Sequence, residues 1–150
     1  MDKSSMESKK MTEITGFVIE TTAKKMKQVF KKMLLDQKVG ITVDQWVILQ
    51  ALSKTDGISQ LKIAKNTFKD APTVTRIIDL LCEKDLAQRT MDTQDRRKFN
   101  IFITKAGEEK VKYLEPFVKD FRKRSLNNIT VKDMENMMRI LNTISENLTD

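Results

Sequence analysis

Residues 57–107 read GISQLKIAKNTFKDAPTVTRIIDLLCEKDLAQRTMDTQDRRKFNIFITKAG, and the period of the apolar positions changes once along the way. Ser59 opens a helix: Ile58 and Ile63 have the spacing of a hydrophobic staple, with Leu61, Ile63 and Ala64 on the expected buried side. Asp70-Ala71-Pro72 announces another, because a capping acid followed by proline in the first turn satisfies and pre-sets a helix start. Val74, Ile77, Ile78 and Leu81 form its inner stripe, and Thr73, Arg76, Asp79 and Glu83 point away from it. Beyond Leu86 the period shortens to two. Leu86 to Met91 predicts one strand and Phe99 to Ile103 its hairpin partner, with turn chemistry in Asp92-Thr93-Gln94-Asp95.

Outward from this stretch the chain reads as helices. Met11, Ile14, Phe17, Val18, Met26, Val29, Phe30, Met33 and Leu34 recur at three- and four-residue spacing, predicting a long amphipathic helix from Met11 to about Gln37, ended by Gly40. The residues before Met11 carry too little apolar content to pack and are expected to form a mobile arm. Thr42 and Gln45 have capping-box spacing and start a second helix, which Asp56-Gly57 ends with a turn. Downstream, Thr104 caps a fifth helix, with Glu108 and Glu109 in its first turn and Ala106, Val111, Leu114, Phe117, Val118 and Phe121 along one side. Pro116 lies within it and is expected to kink it. Ile129-Thr130 opens a sixth helix bearing Met134, Met137, Met138, Leu141, Ile144 and Leu148.

A chain of 150 residues suits a single domain, and its net charge of +7 makes an acidic partner plausible. Between Gly57 and Lys105 there are ten Lys/Arg against six Asp/Glu, so about half of that excess falls in the stretch quoted first. Histidine is absent, which excludes imidazole acid–base chemistry, histidine triads and nearly all catalytic zinc sites. There is no glycine-rich phosphate loop, and Glu108-Glu109 are adjacent on a helix and do not face one another. An enzyme is therefore not expected, nor a metal or a cofactor. The lone Cys82 forms no internal disulfide, Met1 to Lys10 is no signal peptide, and no apolar run reaches membrane-spanning length. A soluble cytoplasmic protein is expected, with no membrane partner.

Two helices joined by a few residues have helix-turn-helix spacing, in which the second helix presents its N-terminal residues to the major groove. Those residues are Thr73, Thr75 and Arg76, preceded by Lys69, and Ser59 heads the bracing helix. Hydroxyls and a guanidinium suit base edges and phosphates alike. Arg89, Arg96, Arg97 and Lys98 cluster on and around the hairpin turn, where a protruding basic loop reaches the backbone and places an arginine in a narrow minor groove. Asp95, two residues before Arg97, holds that loop in shape. A plain helix bundle with a solvated hairpin leaves the arginine cluster without a reason.

With these residues in view, Ile41 to Val111 resembles the winged-helix core of the MarR family of bacterial transcription regulators. The family's wing motif is Asp-x-Arg, five residues, Leu-Thr, two residues, Gly; it stands here as Asp95-Arg96-Arg97, then Ile103-Thr104-Lys105-Ala106-Gly107, with Ile for Leu. Ala71 to Asp79 resembles the recognition helix and Glu83-Lys84-Asp85-Leu86 the turn into the wing. Pro72, Asp85 and Leu80 depart from the family pattern, Asp85 replacing the glycine common at that turn. The resemblance implies a mainly α (α+β) winged helix-turn-helix of six helices and a β-hairpin wing. Residues 1–150 would form one domain, with 41–104 as the DNA-binding core and 1–40 and 105–150 as dimerisation helices. The 4-3-4 spacing of Met137, Leu141, Ile144 and Leu148 independently favours a homodimer. Such a pair would read a palindromic operator, with half-sites about one helical turn apart.

On this reading the chain is a sequence-specific DNA-binding regulator, a homodimeric repressor released by a small aromatic or phenolic effector. Its DNA-binding set is Ser59, Lys69, Thr73, Thr75, Arg76, Arg89, Asp95, Arg96, Arg97 and Lys98. Phe30, Met33, Trp46 and Tyr113 are candidates to line the effector pocket that the family places between dimer helices and wing module. Cys82, beside an inner stripe, is expected to be an inert packed thiol. The alternative is a ligand- or protein-binding adaptor that keeps the fold without specific DNA readout.

Overall fold

The computed structural model of the chain describes residues 2–55 and 57–150. Their elements run α1 (Lys3–Asp36), α2 (Val43–Lys54), β1 (Ile58–Ser59), α3 (Gln60–Thr67), α4 (Ala71–Glu83), β2 (Ala87–Met91), β3 (Phe99–Ile103), α5 (Lys105–Ser125) and α6 (Val131–Asn147). The predicted architecture of six helices and a hairpin is present. The chain divides within α5 into two compact units, Met1–Phe117 and Val118–Asp150.

The first unit buries Ile48, Leu49 and Leu52 of α2 with Ile63 of α3, Val74, Ile78 and Leu81 of α4, Ile101 of β3 and Leu114 of α5. Each such side chain contributes about 1.5–3 kcal/mol by leaving water, so this cluster fixes α3, α4 and the hairpin on one frame. The starts of α2, α3 and α4 are the ones the sequence predicts. Thr42 and Gln45 form a full capping box. Ser59 accepts from Lys62 N–H and Asp70 accepts from Thr73 N–H.

The α4–β2 turn explains the glycine of the wing motif. Asp85 is left-handed at φ +56, the conformation that costs a non-glycine residue about 1 kcal/mol or more. Thr104 Oγ1 donates to Asp85 O at 2.6 Å, and Thr104 N–H donates to Leu86 O at 3.1 Å, fastening the turn to the end of β3. A Cβ on Gly107 would collide with Leu86 O and stand 2.7 Å from Ile103 Cγ1. Only glycine lets the start of α5 lie this close.

Four expectations need correction. The helix predicted from Met11 begins at Lys3, in place of the expected mobile arm; Met1 lies outside the described residues. Its polar opening segment contains no Gly or Pro to interrupt it, and Phe30 and Leu34 are the only buried residues of α1 among those described. Leu61 is 66% exposed rather than buried. Ala106 is likewise exposed, and Gly107 takes the inner place. The sheet has a third strand: β1 pairs antiparallel with β3 (Ile58↔Ile101, Ser59↔Asn100), giving the order β1-β3-β2. Two residues are too few for alternation to reveal a strand.

Of the expected Asp56-Gly57 turn, Asp56 lies outside the described residues, while Gly57 is left-handed at φ +69. Helix α5 continues through Pro116. In the second unit, Thr130 and Asp133 form a capping box at the start of α6, and no residue of α6 is buried. No helix among the described residues is long and apolar enough to cross a membrane.

Candidate nucleic-acid interface

The N-termini of α3 and α4 and the turn end of the hairpin meet around one groove. Ser59, Gln60, Leu61, Ala71, Arg97, Lys98 and Phe99 line it, and it encloses about 190 Å³. Ser59, Arg97 and Lys98 were legible as candidates in the sequence. Gln60, Leu61, Ala71 and Phe99 were not: leucine, alanine and phenylalanine carry no polar signal, and nothing in the spacing of Gln60 ties it to the wing.

Along α4 the three candidate readers differ. Arg76 is exposed. Thr73 is half-buried, and its N–H donates to Asp70 Oδ1 at 2.8 Å; this bond holds the Asp70 carboxyl below its ordinary pKa, so it stays ionised at the head of the helix. The Thr75 hydroxyl is already engaged, donating to Ala71 O at 3.0 Å and accepting from Gln60 Nε2 at 2.5 Å. Thr75 thus ties α4 to α3. Lys69 is also engaged: its ammonium sits 2.9 Å from Asp44 Oδ1 on α2, with Lys27 at 3.6 Å from the same oxygen. The hydrogen bond from Lys69 is the main reason Asp44 titrates below its ordinary value.

The hairpin tip is shaped by two aspartates. Asp92 Oδ1 accepts from Gln94 N–H at 2.8 Å and Asp95 N–H at 3.1 Å, and its Oδ2 accepts from Asn100 Nδ2 at 3.1 Å. These bonds keep its pKa below the usual carboxylate range, the Gln94 N–H contributing most. Asp95 Oδ1 accepts from the Arg97 N–H at 3.0 Å and from Arg97 Nε at 3.3 Å. Asp95 thus holds the loop through both a side-chain-to-backbone bond and an ion pair. Arg97 is held at its base while its side chain is 91% exposed. Arg96 and Lys98 beside it are exposed as well.

Arg89 differs from its neighbours. Its Nη1 lies 2.7 Å from Asp79 Oδ1 on α4, its guanidinium carbon is 5.8 Å from the centre of the Phe99 ring, and its side chain is only 26% exposed. Cys82 is half-buried nearby, where burial pushes its thiol pKa up while Arg89 and Asp79 act in opposite directions. A raised pKa keeps the thiol protonated and unreactive.

The four effector candidates lie on α1, α2 and α5. Phe30 and Trp46 are buried against each other with ring centres 6.3 Å apart. Tyr113 is exposed, and its hydroxyl donates to Gln37 Oε1 at 2.9 Å. Met33 is half-buried on α1. A groove along the same stretch of α1, of about 250 Å³, has Leu34, Leu35, Ile41 and Val43 as its apolar wall and Lys27, Lys31, Thr42 and Asp44 as its polar lining.

Residues 41–99 match the model of the MarR family. Among solved structures, the chain is similar to a protein of unknown function from Listeria innocua at 30% identity, over 98% of this chain and 100% of that one, with a TM-score of 0.71. It is similar to MepR of S. aureus, solved in complex with DNA, at 26% identity over 89% of this chain and 97% of that one, TM-score 0.80. It is also similar to BpsR of Bordetella bronchiseptica, whose DNA binding is regulated by 6-hydroxynicotinic acid, at 24% identity over 87% and 98%, TM-score 0.76.

Proposed function

This chain belongs to the MarR family of DNA-binding transcription regulators, and on that footing we propose that it is a homodimeric repressor released from a palindromic operator by a small aromatic acid. One observation carries the DNA-reading part: the heads of α3 and α4 and the wing residues Arg97 and Lys98 line a single groove. With α4 in a major groove and Arg97 in the adjacent minor groove, the phosphate strand dividing the two must pass between helix and wing. That is where this groove lies.

Thr73 and Arg76 then meet base edges, and Ser59, Arg96 and Lys98 meet phosphates. Lys69 reaches a phosphate only by leaving Asp44, and Thr75 acts chiefly by holding α4 on α3. Residues 41–104 form the DNA-binding core, and 1–40 and 105–150 supply the pairing helices. The exposed Ile14, Phe17 and Val18 of α1 and Met138, Ile140 and Leu141 of α6 support this pairing, since apolar side chains in such number favour a covered surface. For the effector, the ligand of the Bordetella relative suggests a hydroxylated aromatic acid. The groove lined by Lys27, Lys31, Leu34, Leu35 and Asp44 offers Lys31 for a carboxylate, Lys27 being paired with Asp44, and an apolar wall for a ring, and it is a second candidate beside Phe30, Met33, Trp46 and Tyr113.

The test is selection of duplexes from a random pool, followed by anisotropy on the enriched site and sedimentation of the free protein. Enrichment of a palindrome bound by two chains, with release by hydroxylated aromatic acids, is expected. A monomer, or a pool that enriches nothing, overturns the proposal.

A further inference from the structure

Arg89 is an expensive residue for its place. A guanidinium carries five N–H donors, and here Nε and Nη2 are enclosed without a hydrogen-bond partner while Nη1 pairs with Asp79. Enclosed donors left unpaired lower stability, and an apolar residue of similar size would fill such a site at least as well. Stability alone therefore does not account for an arginine here. What the arginine does that an apolar residue cannot is reach a specific charge on another element. Asp79 lies one turn beyond Arg76 and Thr75 on α4, whereas Arg89 belongs to β2 and the ring beneath its guanidinium, Phe99, belongs to β3. One side chain thus joins the recognition helix to both strands of the wing.

We infer that Arg89 is a positioning residue: through Asp79 and Phe99 it fixes the rotation of α4 against the hairpin, and so the placement of Arg76 relative to Arg97. This rests on the DNA-reading proposal above, and it moves Arg89 from the set that touches DNA to the set that aims it. Loss of the pair has a second effect. Asp79 stands three residues from Arg76, within reach along the helix surface, and once freed from Arg89 it draws the Arg76 guanidinium toward itself.

The experiment compares wild type, Arg89→Met, Asp79→Asn and the reversed pair Asp79→Arg/Arg89→Asp. Each is titrated against the selected operator and against a scrambled duplex of equal length, with thermal unfolding alongside. Arg89→Met should lower operator affinity at least tenfold while scrambled-duplex affinity changes less than twofold, with no fall in the unfolding midpoint. Asp79 is exposed, so Asp79→Asn gives a folded variant even if Arg89→Met unfolds; it should reduce operator preference in the same direction. The reversed pair should recover most of the preference lost in Arg89→Met. Unchanged preference in Arg89→Met or Asp79→Asn, a loss that only tracks the unfolding midpoint, or a reversed pair that recovers nothing overturns the inference. A wild type without operator preference instead refutes the DNA-reading proposal beneath it.

Discussion

Replacing Arg97 with alanine separates the folding role of the wing from its binding role. Within the protein, Arg97 Nε donates to Asp95 Oδ1 at 3.3 Å, and the arginine side chain is 91% exposed. An ion pair in that setting contributes about 0.2–1 kcal/mol at most, so folding should be almost unaffected. The backbone bond from Arg97 N–H to Asp95 at 3.0 Å survives the substitution and keeps the loop in shape. Binding is another matter. An arginine that reads a groove is worth about 1–3 kcal/mol, which weakens binding roughly 5- to 150-fold for each half-site. The pair of chains loses two cations, which also lowers the slope of log affinity against log salt by about 2. Anisotropy titrations of wild type and Arg97→Ala at four salt concentrations, with a urea melt of each, measure both quantities. An Arg97→Ala protein with unchanged affinity and salt slope would refute the reasoning and remove the wing from the interface.

Three further outcomes follow from the geometry. Gly107→Ala should destabilise by about 1–3 kcal/mol in urea, because the added Cβ meets Leu86 O and Ile103 and overpacks a backbone contact that has no flexible side to yield. Asp44→Asn should cost a few tenths of a kcal/mol to about 1 kcal/mol at neutral pH, the pair with Lys69 being partly exposed. Asp44 has a folded pKa below its ordinary 3.8, so its contribution is complete above that value and lost as pH falls through the folded value; the gap between variant and wild type should close in acid melts, and a gap independent of pH would exclude the charge as its cause. Phe68→Gly should stabilise by up to about 1 kcal/mol in thermal melts: Phe68 is left-handed at φ +53 and 95% exposed, so glycine relieves strain, gives up almost no burial and loses only part of the gain to its freer unfolded chain.

The parts of the fold that were legible are those fixed by local chemistry. Thr42 with Gln45, Ser59, Asp70 with Pro72, and Thr130 each mark a helix start within the chain's own next turn, and the structure places the starts there. The strands around Arg89 and Ile101 were visible because several residues alternate. What stayed hidden depends on neighbours distant in sequence. Nothing in the spacing of Asp44 and Lys69, or of Asp79 and Arg89, reveals that they pair across elements, although each pairing changes what its cation is available to do. Leu61 looked buried because staple and stripe logic count apolar residues without seeing which side the wing leaves open. Of the candidate interface, the hairpin tip was the best read, since Asp92 and Asp95 act within a few residues of themselves. Phe30 and Trp46 pack on one another across α1 and α2, a contact that helical spacing within either helix does not reveal.

The sixth helix sets neighbouring thioethers, Met137 and Met138, on the exposed face of the single chain that pairing would cover. Peroxide adds an oxygen to such a sulfur and turns a greasy, pliant side chain into a polar one. The ageing of a stock solution would therefore change the character of this helix, and preparations of equal purity but different oxidant exposure should elute differently on a sizing column.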